Sequence, residues 1–336
     1  MPIQPGTNIG RYHILEKLGE GGMAIVYKAY DANLDCEVAI KTIRVERLIP
    51  AYREKSLKRF QIEARNMAKL EHSNIVKVID FGEYEDIPYL VMPYIAADTL
   101  KKQITGPFHW QKACQIVEKL ADALEYAHKK NIIHRDVKPS NVLMNETGQP
   151  LLSDFGIAKV FDNPDTMDLT TTLMGIGTVE YMAPEMATSR NFDHRADIYS
   201  LGILFYELLT GRKPFVADTP AAVLIKQASD PLPRPTQFNP NIPQEVEKVL
   251  LKALAKDPRD RFDTSGDFAE AIRKIPLALD GKEPIPESRG ISMKSIIPML
   301  AIVGFALVLL GFGLNSIKVG NEQGVYDDVD VSIIVE

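Results

Sequence analysis

A glycine-rich turn between two strand-like runs constrains this chain of 336 residues more than any other feature. Gly19, Gly21 and Gly22 follow a β-branched run that begins at Tyr12, and Ala24 opens a second such run. Glycines in a turn let backbone N–H groups approach anionic oxygens closely. The pattern Gly-x-Gly-x-x-Ala also fits the dinucleotide-binding fingerprint, but that fingerprint must open a helix. A strand after the turn therefore predicts a hairpin that covers phosphates.

The pattern along residues 12–275 predicts a strand-rich part followed by a helical part. Short β-branched and aromatic runs dominate residues 12–92, and one amphipathic helix is predicted over 56–71. Helical patterns dominate residues 110–275. The segment that ends at Gly211 is apolar on nearly all sides, which predicts a buried helix with a glycine C-cap. The fold class is therefore α+β, with a small β-rich lobe and a larger helical lobe.

Composition excludes several functional classes. The formal net charge is −6, which argues against general nucleic-acid binding because that function needs a basic surface. The two cysteines, Cys36 and Cys114, are too few for a disulfide framework or a four-cysteine zinc site. Charged residues make up 25% and apolar residues 45% of the chain, and this balance is typical of a globular protein with a substantial core.

Several short motifs follow the glycine-rich turn in a fixed order. They are Val-Ala-Ile-Lys at 38–41, His-Arg-Asp-Val-Lys-Pro-Ser-Asn at 134–141, Ser-Asp-Phe-Gly at 153–156, Gly-Thr at 177–178 and Met-Ala-Pro-Glu at 182–185. Each motif alone has little weight, but the complete set in this order is very specific. Residues 12–275 resemble a eukaryotic-like (Hanks-type) protein kinase, and the chain as a whole is similar to the bacterial transmembrane Ser/Thr kinases.

The resemblance implies a bilobal protein-kinase fold, with the small lobe at about 12–95 and the large lobe at about 96–275. It implies ATP as the nucleotide and Mg²⁺, or Mn²⁺ in its place, as the metal. Lys41, paired with Glu63, would hold the α- and β-phosphates. The other residues implied to contact the nucleotide are Gly19, Gly21, Gly22, Val26, Ala39, Met92, Ile95, Asn141 and Asp154.

The resemblance also assigns roles in catalysis. Asn141 and Asp154 would ligate the metal through oxygen, which Mg²⁺ prefers. Asp136 would orient the substrate hydroxyl and accept its proton, while Lys138 would stabilise the γ-phosphate. Thr178 would bridge to both of these residues. Because Lys138 stands two residues after Asp136, the motif looks like the version found in kinases that phosphorylate serine and threonine of protein substrates.

Other residues are implied to act in structure and regulation. Glu185 would form a buried ion pair with Arg261, and Asp197 would anchor the backbone of the catalytic loop. Arg135 resembles the arginine of kinases that are activated by phosphorylation of the activation loop. Thr170 and Thr172 have the spacing of autophosphorylation sites in the bacterial family, although a threonine-rich loop can also be incidental.

Two positions near the nucleotide depart from the family pattern. Ala24 replaces the third glycine of the loop, and a residue this small still lets the loop close. Pro93 follows the gatekeeper Met92 at a position where the family usually has Glu. Proline keeps its carbonyl for the adenine amino group, and Ile95 would supply the N–H. A pseudokinase scaffold is the alternative function, but Lys41 and the acidic and amide residues of the catalytic motifs argue against it.

The C-terminal region carries a predicted membrane anchor. Residues 296–314 are nineteen uncharged, mainly apolar residues, long enough to cross a bilayer at about 1.5 Å per residue. The alternative is a buried core helix, which would need a partner after the proline-rich linker 276–295. Cations are more frequent on the N-terminal side of the span, so the kinase domain is expected in the cytoplasm. The acidic tail 315–336, with a predicted net charge of −4, is then expected outside, as a disordered segment or as a strand completed by a partner.

This arrangement predicts a single-pass protein of the cell membrane. Its expected partners are protein substrates, the lipid bilayer and a second copy of the chain in a homodimer, with no nucleic acid among them. The short tail makes direct sensing of an external ligand doubtful.

Overall fold

The computed structural model describes residues 3–22, 24–47, 53–155, 179–189 and 192–276. The chain divides into two compact units, 1–277 and 278–336, and all of the described residues lie in the first unit. The predicted linker after Pro276, the membrane span and the tail lie outside the described residues, as do Thr170, Thr172 and Thr178. No helix within the described ranges is long and apolar enough to span a bilayer.

The strand-rich part forms one antiparallel sheet of six strands in the spatial order β1-β2-β3-β4-β6-β5. The strands are β1 Asn8–Ile9, β2 Tyr12–Glu20, β3 Ala24–Asp31, β4 Cys36–Ile43, β5 Asp80–Tyr84 and β6 Ile87–Pro93. A strand therefore follows the glycine-rich turn, as the sequence predicts, and the dinucleotide fingerprint does not apply. One of the strand-like runs within residues 12–92, residues 76–84, forms a strand only in its second half, β5, which pairs with β6.

Helix α1, Arg53–Met67, belongs to the same lobe as this sheet, and the remaining helices form the second lobe. They are α2 Leu100–Gln103, α3 Trp110–His128, α4 Pro184–Thr188, α5 Arg195–Thr210, α6 Pro220–Ser229, α7 Gln244–Ala253 and α8 Ser265–Arg273. A hairpin of β7 Val142–Met144 and β8 Pro150–Leu152 lies between α3 and α4 in the chain. The helix predicted over 56–71 begins and ends a few residues earlier than expected.

The centre of the helical lobe is α5, whose residues from Ala196 to Thr210 are all buried. The prediction of a helix that is apolar on nearly all sides is thereby confirmed. Gly211 follows it with a φ of 71°, in the left-handed conformation that glycine adopts without strain, and its N–H bonds the carbonyl of Glu207. The buried centre of this lobe gives the catalytic segments a rigid support.

The two faces of the sheet belong to different hydrophobic clusters. Ile25, Tyr27, Val38 and Ile40 pack on the outer face, with Val91 beside them. The other face contributes to the main core, which includes α1 and the helical lobe. Since side chains alternate along a strand, residues between the outer-face positions point into the space between the lobes.

Candidate active site

Four strands place the predicted nucleotide-binding residues in adjacent rows on the inner face of the sheet. Gly19 of β2 lies opposite Val26 of β3, and Val26 lies opposite Lys41 of β4. In the next row, Ala39 lies opposite Met92 of β6. Directly opposed residues project to the same face of a sheet. The structure therefore brings the glycine turn, the strand lysine and the gatekeeper to one surface, and Ile95 follows two residues after β6.

The glycine-rich turn is a tight hairpin with open space beside it. The N–H of Gly21 donates to the carbonyl of Ala24 at 2.8 Å, which closes the turn. A Cβ added at Gly19 would meet nothing within 4 Å, and one at Gly21 would meet only the carbonyl oxygen of Ala24 at 3.7 Å. The backbone of the turn is therefore uncovered and accessible to an anionic group, while Gly22 lies exposed at its tip.

Lys41 bridges the two lobes. Its Nζ lies 2.8 Å from Oδ1 of Asp154, which follows β8 in the helical lobe. Burial acts to raise the pKa of Asp154, but the charge and hydrogen bond of Lys41, with His134 and Lys138, outweigh it, so that pKa is lowered. Asp154 is therefore an anion at neutral pH. Glu63 lies on α1 one turn before the buried Met67, and the predicted ion pair between Lys41 and Glu63 stays a prediction.

The catalytic segment 134–141 holds its carboxylate between two donors. Nζ of Lys138 lies 2.7 Å from Oδ2 of Asp136. Nδ2 of Asn141 donates to the same oxygen at 2.9 Å and to the carbonyl of Asp136 at 2.9 Å. Because the Asn141 amide nitrogen faces Asp136, its oxygen is left for another partner. The carbonyl of Asn141 accepts from the N–H of Ser153 at 2.9 Å, which ties this segment to Asp154.

A buried carboxylate anchors the backbone of the same segment. Asp197, which is fully buried on α5, accepts hydrogen bonds from the N–H groups of His134 at 2.7 Å and Arg135 at 2.8 Å. Nε2 of His128 donates to it at 2.8 Å. Arg135 has a φ of 69°, a conformation that costs a residue with a side chain of the order of 1–3 kcal/mol. The predicted anchoring role of Asp197 is confirmed, and the anchor holds Arg135 in this conformation.

Phe155 and His134 join the two catalytic segments through packing. Their ring centroids lie 4.5 Å apart, and Nε2 of His134 donates to the carbonyl of Ser153 at 2.8 Å. A cavity of about 20 Å³, little larger than one water molecule, lies between Phe155, Met67 of α1 and Met92. The space behind the gatekeeper is therefore nearly filled. Asp154 has a φ of 68°, which directs it toward Lys41 while Phe155 stays buried.

The predicted ion pair between Glu185 and Arg261 is also confirmed. Nη1 of Arg261 lies 2.6 Å from Oε1 of Glu185, and Nη2 lies 2.8 Å from Oε2. The pair is bidentate, and the Arg261 side chain is fully buried. It ties the start of α4, which follows the segment 179–183, to the base of the helical lobe.

The donor set fits ATP with a hard divalent cation. Asp154 offers a carboxylate and Asn141 an amide oxygen, and both are ligands that Mg²⁺ accepts. Lys41 and Lys138 add two cations in the same cleft, and the uncovered backbone of the glycine hairpin lies at the same end of the sheet as Lys41. These groups can neutralise a triphosphate, while Asp136 is placed to accept a proton from a hydroxyl.

Comparison with known proteins agrees with this geometry. Residues 12–274 match the family described as protein kinase domain. The chain belongs to the protein kinase family. It is 41% identical over 266 residues to the serine/threonine-protein kinase PrkC of Bacillus subtilis, a match that covers 79% of this chain and 40% of the relative. It is 40% identical over 272 residues to PknB of Mycobacterium leprae, covering 78% of this chain and 43% of the relative.

Solved structures show the same kinase fold. The crystal structure of the Mycobacterium tuberculosis PknI kinase domain aligns with a TM-score of 0.64 and 25% identity. The alignment covers 81% of this chain and 99% of that domain. By contrast, the chain spans about two-fifths of the length of the curated relatives that it matches.

Some residues that support the site carry no motif. His128 lies at the end of α3, and only its contact with Asp197 shows that it helps to fix the catalytic segment. Gln227 of α6, fully buried, donates to the carbonyls of Val179 at 3.1 Å and Glu180 at 2.8 Å. A polar residue on an apolar helix face is the sequence signal that could have indicated either residue. The partner in each case lies far away in the chain.

Proposed function

We propose that this chain transfers the γ-phosphoryl group of ATP to serine and threonine hydroxyls of proteins. The observation that carries the proposal is the arrangement around Asp136, whose carboxylate is held by Lys138 and Asn141 in the lobe that presents Asp154 to Lys41. The family match and the names of the relatives, which are serine/threonine-protein kinases, support the acceptor class.

Each residue contributes a defined physical effect to the transfer. Asp136, oriented by Lys138 and Asn141, aligns the acceptor hydroxyl and takes its proton. Lys41 moves from Asp154 to the phosphates when the nucleotide enters, because both are anions that compete for the same ammonium group. Lys138 neutralises charge that develops on the transferred group. Mg²⁺, held by Asp154 and Asn141, supplies electrostatic stabilisation of the phosphate oxygens when bound.

The membrane anchor and the loop phosphorylation belong to the same proposal. The uncharged segment 296–314 and the cations before it support a single-pass protein with the kinase domain in the cytoplasm. Thr170 and Thr172 are proposed as autophosphorylation sites, and a phosphate there would be paired by Arg135. The acidic tail would then lie outside, and a second copy of the chain is the proposed partner in the bilayer.

The test compares the full-length chain, purified in detergent, with two variants. Wild type, Asp154→Asn and Asp263→Asn are incubated with labelled Mg–ATP and a generic serine/threonine peptide, and phosphate transfer is followed. Asp263 is a matched control, because it is an exposed aspartate of the same domain that pairs with Arg195 at 2.8 Å. Transfer by wild type and Asp263→Asn, with at least a hundredfold loss in Asp154→Asn, is the expected result.

Nucleotide binding without transfer in all three proteins would contradict the proposal and favour the pseudokinase scaffold. A second peptide that carries only tyrosine as acceptor tests the acceptor class. Label on that peptide at a rate equal to the serine/threonine peptide would show that the predicted specificity is wrong. Mass spectrometry of the active enzyme that finds no phosphate on Thr170 or Thr172 would remove the autophosphorylation sites from the proposal.

A further inference from the structure

An arginine at the end of β4 holds the tip of the glycine hairpin. Nη1 of Arg44 donates to Oε1 of Glu20 at 2.8 Å and makes a longer contact of 3.4 Å with the carbonyl of Gly21. Its Nε donates to Glu46 at 2.9 Å, so that the guanidinium is fixed from a second side. Lys17 binds the other carboxylate oxygen of Glu20 at 3.2 Å. Both oxygens of Glu20 therefore have cationic partners.

Arg44 lies beyond the phosphate end of the nucleotide, as its expected course along β4 places it. Ala39 and Met92 mark the adenine end of the strand, and Lys41 marks the phosphates two residues later. Arg44 comes three residues beyond Lys41. At this level Ala24, which closes the hairpin, lies opposite Ile43. The residue directly after the strand of the phosphate-binding lysine therefore binds the hairpin tip.

Glu20 is an unfavourable residue in a loop that covers phosphates, because its carboxylate repels a triphosphate. The register of β2 and β3 removes only part of this repulsion. Glu20 lies opposite Ile25, whose side chain packs in the outer cluster, so the side chain of Glu20 leaves β2 on the outer face of the sheet. The hairpin tip is exposed, however, and glycine at positions 21 and 22 lets its backbone change conformation at low steric cost. The ion pairs with Arg44 and Lys17 keep the carboxylate on that outer face.

We infer that Arg44 is a positioning residue for the glycine-rich hairpin, which acts by holding Glu20 away from the phosphates of the bound nucleotide. The inference rests on the proposed function, since it takes ATP as the occupant of the cleft. Arg44 does not touch the reacting atoms. Its loss should therefore weaken phosphate-dependent binding and leave the adenosine part of the site unchanged.

The experiment measures binding to the full-length chain in detergent, with two probes. One is a non-hydrolysable ATP analogue with Mg²⁺, and the other is adenosine, which has no phosphate. The variants are Arg44→Gln, Glu20→Gln and the double variant. Lys58→Gln is the matched control, because Lys58 forms an ion pair of 2.7 Å with Glu54 on the surface of α1, in the same lobe.

We expect Arg44→Gln to weaken binding of the ATP analogue about threefold, within the range that partly exposed ion pairs contribute. Adenosine binding should not change, and the control should bind both probes as wild type does. In the Glu20→Gln background, Arg44→Gln should have little further effect, because the carboxylate that it controls is absent. Hydrogen exchange should report faster exchange of the Gly21 amide in Arg44→Gln.

Three outcomes would overturn the inference. They are unchanged affinity of Arg44→Gln for the ATP analogue, an equal loss for adenosine, and an equal loss in the Glu20→Gln background. The last would mean that Arg44 attracts the phosphates directly as a charge. Failure of the proposed function is a separate result, because it would appear as absent phosphate transfer in a wild-type protein that still binds the analogue.

Discussion

The buried guanidinium of Arg261 allows a stability prediction that can be derived from the contacts themselves. All five of its N–H donors are used. Two bind Glu185, and the other three bind the carbonyls of Ala255, Arg195 and Lys256 at 2.8, 3.0 and 3.1 Å. Glu185→Gln removes the only carboxylate that faces this cation in these contacts, and it leaves the other three hydrogen bonds in place.

The expected magnitude follows from the burial of the pair. Breaking a buried ion pair by removal of one partner costs about 3–5 kcal/mol, because the remaining charge is left uncompensated. For a domain of this size, each kcal/mol lowers the Tm by about 2–4 °C. Glu185→Gln should therefore lower the Tm by about 6–20 °C. Arg261→Lys should also be strongly destabilising, because an ammonium group on a single atom cannot reach Glu185 and the three carbonyls together.

The assay is thermal unfolding, followed by intrinsic fluorescence at a fixed scan rate, for wild type and both variants. Asp263→Asn is the control, since it removes an ion pair with Arg195 whose carboxylate is 79% exposed. That variant should change the Tm by less than about 2 °C, because an exposed pair contributes little. A Tm of Glu185→Gln within the range of this control would refute the reasoning, as it would show that the cation is compensated by its carbonyl contacts alone.

Three further predictions concern catalysis and titration. Asp136→Asn should lower kcat, measured by steady-state kinetics, by about 10²–10⁴-fold. The affinity for a non-hydrolysable ATP analogue, measured by calorimetry, should stay within about twofold of wild type. Equal losses of kcat and of affinity would contradict the role of Asp136 as a base. The pKa of Asp197 is lowered although its burial acts to raise it, because His128 and the N–H of His134 favour the anion. Its contribution is therefore complete above about pH 4 and is lost as the pH falls through its lowered pKa, so the Tm difference between wild type and Asp197→Asn should shrink from pH 6 to pH 3. Burial lowers the pKa of Lys256 to about 8, and NMR titration of methyl-labelled lysines should find this midpoint, whereas one near 10.5 would show that burial does not destabilise the charged form of this ammonium group.

The architecture was largely predictable because its elements carry strong local patterns. Short β-branched and aromatic runs identified the strands that flank the glycine turn, and the all-apolar segment before Gly211 identified the central helix. The predicted ends of strands and helices are wrong where tertiary contacts decide where the element begins or ends. Residues 76–79 have the composition of a strand, but one of them, Val76, bonds the carbonyl of Leu152 in the other lobe. Helix α1 ends at Met67, although the apolar spacing continues to the buried Leu70.

The ion pair between Glu185 and Arg261 and the anchor at Asp197 were predicted from the family resemblance, not from the residues alone. Composition and spacing cannot show that two residues 76 positions apart share a bidentate contact. The same limit applies to His128 and Gln227, because their functional partners are backbone groups or side chains of distant segments. Such contacts depend on the packed fold, and the local sequence around each residue is typical of an ordinary amphipathic helix.

Lys41 shows most clearly what a motif can and cannot predict. The motif identifies a lysine that must neutralise an anion in the cleft, and burial of an ammonium group requires such a partner. It does not specify which anion. In the structure the partner is Asp154, held in place by its positive φ and by the hydrogen bonds that tie Ser153 to the catalytic segment. Since nucleotide phosphates and Asp154 compete for the same ammonium group, the sequence defines the chemistry of Lys41, while the state of the cleft decides which partner it binds.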